Sequence, residues 1–183
     1  MLTFPHPKLT PISGTPNNTA LKHLTKELYA NARAIPSTRG GGGHGHLGLV
    51  MPAAEYMVVT GVAFQLPAHP GPGPVHIGAP NAATRQETIR AYDANLKELM
   101  LATTVKEEIK KQLLEAVDWL YLATLDDDTF GFADVSIANM LTHLHSAYGL
   151  ITCAKLETNP ASITTLWTPS DPIKTFWECL CKV

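Results

Sequence analysis

Two pairs of histidines are the side chains in this sequence whose spacing first suggests chemistry: His44 with His46, and His143 with His145. Zinc is held by three or four nitrogen, sulfur or oxygen ligands in a tetrahedral arrangement. Residues i and i+2 of a helix point about 200° apart, so His143 and His145 cannot bind one ion together. A metal-dependent enzyme that uses His44, His46 and either His143 or His145 stays open as an alternative. The favoured interpretation of His143 or His145 is a ring at the edge of the core, with one nitrogen donating to a carbonyl.

Other motifs with chemical meaning are incomplete. The four glycines at 40–43 are followed by His44 rather than by the Lys-Ser/Thr pair of a phosphate-binding P-loop. The acidic run at 126–128 lacks the alternating oxygen ligands of a calcium loop and is interpreted as a solvated turn. Cys179 and Cys181 are separated by one intervening residue, whereas redox and zinc Cys pairs have two. The chain has three cysteines in all, which indicates a reducing compartment. We therefore predict no catalytic residue, no metal ligand and no cofactor, and hence a protein that is not an enzyme.

Composition narrows the class of protein further. The chain has 183 residues, of which 45% are apolar and 16% charged, with a net charge of −2. One domain or two small lobes fit this length, the apolar content is enough for a real core, and a strongly cationic nucleic-acid binder is not indicated. The sequence has no run of 18 apolar residues, which predicts no membrane span. It also lacks an N-terminal basic segment followed by an apolar one, the pattern of a signal peptide, so a cytoplasmic protein is predicted.

Charge is distributed unevenly along the chain. Residues 1–111 carry 11 basic and 7 acidic side chains, whereas residues 112–183 carry 3 basic and 9 acidic ones. Halves of opposite sign could favour head-to-tail contact between copies. The alternative is scatter over solvated helix faces.

The N-terminal half is predicted to contain an arm, a helix and a Gly/Pro-rich segment. Four prolines make residues 1–18 an extended arm. Thr19 is a plausible N-cap for a helix from about Ala20 to Ala32. The segment of about 36–80 holds ten of the 13 glycines and seven of the 14 prolines. Within it, a short helix is predicted over 53–59, although its β-branched end leaves a strand possible.

The longest predicted element runs from about Ala82 to Thr124, capped by Asn81 and free of Gly and Pro. It carries two apolar faces rotated by roughly a third of a turn. The first has Ile89, Tyr92, Leu96, Leu99 and Met100, and the second has Val105, Ile109, Leu113, Ala116 and Leu120. Either one helix packs against different neighbours at its two ends, or two helices meet at 102–104. Both faces are interpreted as core.

Three further helices are predicted toward the C-terminus. The first begins at Ser136 and ends at Gly149, the second covers about 153–165, and the last starts near Ile173. The last reaches the chain end without a cap, which suggests a polypeptide that continues past Val183 or is truncated. The predicted fold is all-α: a helical bundle of five to seven helices over residues 19–183, with a Gly/Pro-rich loop segment.

Several short motifs, in this order, resemble the Gag-like proteins of copia-type LTR retrotransposons. They lie at residues 28–32, 40–43, 45–56, 140–144, 148–152 and 167–172. The resemblance implies a retroelement capsid-like protein that is structural and self-associating, and that forms the shell of a virus-like particle. It also implies that RNA is bound only indirectly, through Gag segments that this chain lacks, since neither a zinc knuckle nor a basic tail is present. The interface residues stay unknown at this point.

A third possibility is a monomeric helical adaptor. In that case the proline-rich loop at 67–80 is presented to a groove-type partner.

Overall fold

The computed structural model describes residues 2–37, 42–74 and 81–149. These ranges contain four α-helices, namely α1 (Asn18–Ala34), α2 (Ala53–Thr60), α3 (Ala82–Ala116) and α4 (Ile137–Tyr148). Short 3₁₀ turns follow at 42–44, 47–49, 119–121 and 123–125, and these ranges hold no β-strand. The all-α prediction is confirmed for this part of the chain. The helices predicted near 153–165 and after Ile173 lie outside the described residues, so the total of five to seven helices stays a prediction.

Side-chain caps define where the helices begin. The Asn81 side chain accepts a hydrogen bond from a first-turn amide of α3, and Ser136 does the same for α4, as predicted. For α1 the predicted cap is wrong. Asn17, not Thr19, accepts from the amide of Ala20 at 2.9 Å, and Thr19 is already helical. Asn is as good an N-cap as any residue and ranks above Thr, which agrees with its use here.

The core is built from one face each of α1, α4 and the C-terminal half of α3. Its fully buried side chains include Leu21, Leu24, Leu28, Val105, Ile109, Leu113, Ile137, Met140 and Leu144. These residues recur at three- and four-residue spacing, so each helix buries a single apolar stripe. Tyr56 of α2 and Val50 fill the space beside them. α2 is thus a helix rather than a strand, and it ends at Gly61, which takes the left-handed backbone (φ +74°).

α3 is one continuous helix of 35 residues, about 50 Å long, and not two helices. Its second predicted face is buried as expected, from Val105 to Ala116. The prediction that the first face also belongs to the core is wrong for Ile89 and Met100, which are exposed, while Tyr92, Leu96 and Leu99 are half-buried and lie outside the buried core. The helix also ends at Ala116, before the predicted Thr124, and turns into 3₁₀ backbone.

The N-terminal segment before α1 has neither helix nor strand over residues 2–17, and it packs onto the helices. Phe4 and Leu9 are buried in the core. The amide of Ile12 donates to the carbonyl of Ala116 at 2.9 Å, which ties the arm to the C-terminal end of α3.

No helix in the described ranges is both long and apolar enough to cross a membrane.

Candidate interaction surfaces and the histidine sites

His46 is a structural residue at the end of α1. Its ring is fully buried, and Nδ1 lies 3.0 Å from the carbonyl oxygen of Ile35. Its backbone amide donates to the carbonyl of Ala32 at 2.9 Å. Gly45, at φ +52°, lets the chain approach so closely that a Cβ there would lie 2.5 Å from the Ile35 carbonyl oxygen. The predicted pairing of a ring nitrogen with a carbonyl therefore occurs, but at His46 rather than at His143 or His145.

His143 and His145 contact different partners, as their i, i+2 spacing predicts. Nε2 of His143 is 3.3 Å from Oγ1 of Thr124, and Nε2 of His145 is 3.0 Å from Oγ1 of Thr25. Across residues 2–37, 42–74 and 81–149, no three His, Cys, Asp or Glu side chains are grouped so that they could hold a metal ion. Among these residues the structure thus does not bring His44, His46 and either His143 or His145 together into a ligand set.

A cleft of about 470 Å³ lies between α1, α4 and the start of α2. Tyr29, Glu55 and His145 line it. Burial, helped by the negative charge of Glu55, raises the pKa of the Tyr29 phenol. A phenol with a raised pKa stays protonated, so it can donate a hydrogen bond but is a poorer nucleophile. The cleft thus offers polar contacts, among them the phenol of Tyr29 as a hydrogen-bond donor.

Among the described residues, most exposed large apolar side chains lie on three surfaces, with Leu66 and Met100 outside them, and sequence reasoning did not identify these surfaces. The first, called here the α2 surface, consists of residues 57–62. Val58 is 86% exposed, although it lies in the middle of a helix. On this surface, Val58 and Val59 line a shallow hollow of about 360 Å³ together with Met51 and Ala54. The run of apolar residues from Met57 to Val59 was the available signal, since no single helix face can bury three consecutive positions.

The second surface, called here the acidic aromatic surface, covers residues 118–134 and follows α3 directly. Trp119, Leu120 and Phe130 are exposed, Leu120 by 64% and Phe130 by 66%. Leu120 was predicted in the buried face of α3. The helix ends four residues before it, and Leu120 lies in the following 3₁₀ turn with its side chain exposed. Nε1 of Trp119 donates to a carboxylate oxygen of Asp126 at 3.1 Å.

The acidic turn at 126–131 holds this surface in place. A carboxylate oxygen of Asp127 accepts the amides of Thr129 and Phe130, each at 2.9 Å. These two backbone hydrogen bonds, that from Phe130 first, lower the pKa of Asp127, so this carboxylate is charged at neutral pH. Gly131, at φ +57°, closes the turn by exchanging two backbone hydrogen bonds with Asp127. Phe130 is therefore presented from an ordered turn.

The third surface, called here the α3 tip, is the N-terminal part of α3 over residues 82–90. Arg85, Gln86, Ile89 and Arg90 line an open groove of about 520 Å³. Ile89 is 45% exposed and has a guanidinium on either side of it along the chain. This surface has one large apolar side chain at its centre and two arginines against one carboxylate, Glu87, so its net charge is positive.

The chain matches no protein-family model, and neither a curated protein nor a solved structure is significantly similar to it.

Proposed function

We propose that this chain is a structural, self-associating protein of the retroelement capsid type, which forms the shell of a virus-like particle. The observation that carries the proposal is the presence of three exposed apolar surfaces on different elements of one small helical fold. A monomer gains nothing from leaving Val58, Phe130 and Ile89 in water, whereas contact surfaces between copies are commonly apolar at their centres.

Several separate surfaces suit a shell better than a simple pair. A subunit of a closed or extended lattice must contact at least two neighbours in different directions. Each contact can be weak, because many contacts act together once the lattice forms. The α2 surface, the acidic aromatic surface and the α3 tip offer three such directions.

The order of the short motifs that resemble copia-type Gag proteins supports assigning this self-association to a retrotransposon capsid. Under this proposal the particle is cytoplasmic, and the main partner of each copy is another copy. RNA would be enclosed through Gag segments that this chain does not carry.

Assembly can be measured by light scattering on a size-exclusion column over a hundredfold concentration range, with negative-stain images of the leading fractions. We expect rings, sheets or particles that increase with concentration. Val58→Glu should reduce assembly, since it places a charge on the α2 surface, whereas Asn139→Glu adds the same charge at an exposed site of α4 and serves as the control. A strict monomer at every concentration would overturn the proposal. Stoichiometric zinc in the purified protein would instead favour the metal-dependent enzyme.

A further inference from the structure

The acidic aromatic surface belongs to a stretch of the chain with charge of one sign. Residues 112–149 contain six carboxylates and neither lysine nor arginine. Five of these carboxylates are Asp118, Asp126, Asp127, Asp128 and Asp134, within the surface itself. The ammonium group of Lys110 contacts this surface at Phe132 and Ala133, yet the five carboxylates leave the surface acidic. A partner with both apolar and cationic side chains therefore complements it.

We infer that copies of this chain associate head to tail, with the α3 tip of one copy docked on the acidic aromatic surface of the next. This inference rests on the proposed self-association and names the surfaces that perform it. Ile89 supplies the apolar centre that would contact Trp119 and Phe130 of the neighbouring copy. Arg90 supplies an exposed cationic group beside it.

The chemistry of the two surfaces is complementary in kind as well as in sign. Arginine binds carboxylates through a planar array of donors, and it also stacks on aromatic faces. A surface in which Trp119 and Phe130 stand among carboxylates offers both kinds of contact to Arg90 at once. Opposite charge across an interface also steers encounter and fixes which surfaces meet.

The geometry excludes the same contact within one copy. Ile89 and Lys110 are 21 residues apart on a continuous helix, which corresponds to about 32 Å along its axis. The ammonium group of Lys110 donates to the backbone carbonyls of Phe132 and Ala133, so the acidic aromatic surface is held at that end of α3. Since the two complementary surfaces lie at opposite ends of α3, each must be covered by a different copy. Repeated contacts of this kind give a ring or a filament.

Charge reversal at one residue of each surface tests the inference. Arg90→Glu and Asp128→Arg both change exposed side chains. Each substitution alone should raise the apparent dissociation constant of the assembly roughly tenfold, because an attraction becomes a repulsion. In an equimolar mixture of the two variants, the carboxylate introduced on the α3 tip of one can face the guanidinium introduced on the acidic aromatic surface of the other. In the same mixture, the native α3 tip of the Asp128→Arg variant can face the native acidic aromatic surface of the Arg90→Glu variant. The mixture should therefore assemble almost as well as the native chain. A chain that carries both substitutions should do so too, because its two changed surfaces again have opposite charge.

Lys22→Glu is the matched control, since it reverses an exposed positive charge on α1, away from both surfaces. Far-UV circular dichroism should show the native helix content in every variant. If the native chain assembles and the single variants assemble as well as it does, the head-to-tail inference is wrong while self-association stands. The inference would also be wrong if both single variants assembled poorly and their mixture assembled no better, because the two surfaces would then not contact each other. A native chain that stays monomeric would overturn both proposals.

Discussion

Replacing Asn31 by alanine should release the N-terminal arm from the helices. The Asn31 side chain is fully buried, and it holds the backbone of His6 from both sides. Its Oδ1 accepts the His6 amide at 2.8 Å, and its Nδ2 donates to the His6 carbonyl at 2.7 Å. The same Nδ2 donates to Oε1 of Gln112 on α3 at 2.9 Å. One amide thus joins the arm, α1 and α3.

The magnitude follows from these three hydrogen bonds. Each contributes about 1 kcal/mol net, and a buried group left without a partner costs at least as much. Gln112 is buried, so Asn31→Ala leaves its carbonyl without the donor it had. We expect the free energy of unfolding to fall by about 3 kcal/mol, which at this chain length lowers the melting temperature by roughly 6–12 °C.

Urea unfolding followed by circular dichroism at 222 nm measures the loss, and limited proteolysis reports on the arm. Asn139→Ala is the control, because it makes the same substitution at an exposed position of α4. A loss of less than about 1 kcal/mol for Asn31→Ala, with cleavage in the arm no faster than in the native chain, would show that the arm is not held by this residue.

Two further substitutions probe how the arm and the loop after α1 are attached. Burial raises the pKa of Glu27, but hydrogen bonds from the amide and hydroxyl of Thr10 and the charge of two nearby histidines together lower it below its ordinary value. A carboxylate of this kind adds stability above its ordinary pKa, and that stability is lost as pH falls through the lowered pKa. Glu27→Gln should therefore lower the free energy of unfolding at neutral pH and reduce its further loss on acidification. Urea midpoints measured from about pH 7 to about pH 3 report both effects. A pH dependence of the midpoint equal to that of the native chain would contradict this. Gly45→Ala should cost at least about 2 kcal/mol, because its Cβ meets the Ile35 carbonyl, whereas Gly43→Ala, which meets open space, should change stability little in the same urea titration.

α4 and the buried half of α3 could be predicted from the sequence because two independent signals, a cap and an apolar stripe, agree in each helix. α4 combines a Ser136 cap with an apolar stripe, and the structure has both. In α3 the Asn81 cap and the stripe from Val105 to Ala116 are likewise confirmed. Local hydrogen bonding determines where these helices begin, and three- to four-residue periodicity determines the face that is buried.

The attachment of the arm and the role of His46 could not be predicted, because they depend on contacts distant in sequence. The bonds from Asn31 reach His6, 25 residues away, and Gln112, 81 residues away. Prolines do indicate that the arm is not helical. They carry no information about the buried polar groups that hold it.

The first face of α3 shows why a stripe alone does not identify a core. Ile89 and Met100 have the spacing of a packed face, yet both are exposed. Periodicity states only that something apolar should cover the face, and a neighbouring copy satisfies it as well as a neighbouring helix does.

Low net charge and strong local charge together favour such a neighbour. The chain as a whole has a net charge of −2, so copies repel one another weakly. Within it, residues 112–149 carry six carboxylates without a lysine or arginine, and Arg85 and Arg90 mark the other end of α3. Attraction between unlike ends acts at contact distance, whereas repulsion between whole copies is small and screened by salt. Under the proposed self-association, added salt should therefore weaken the charge-dependent part of the contact between copies. The circular dichroism of the helices should stay unchanged, since the fold of each copy rests on its buried apolar core.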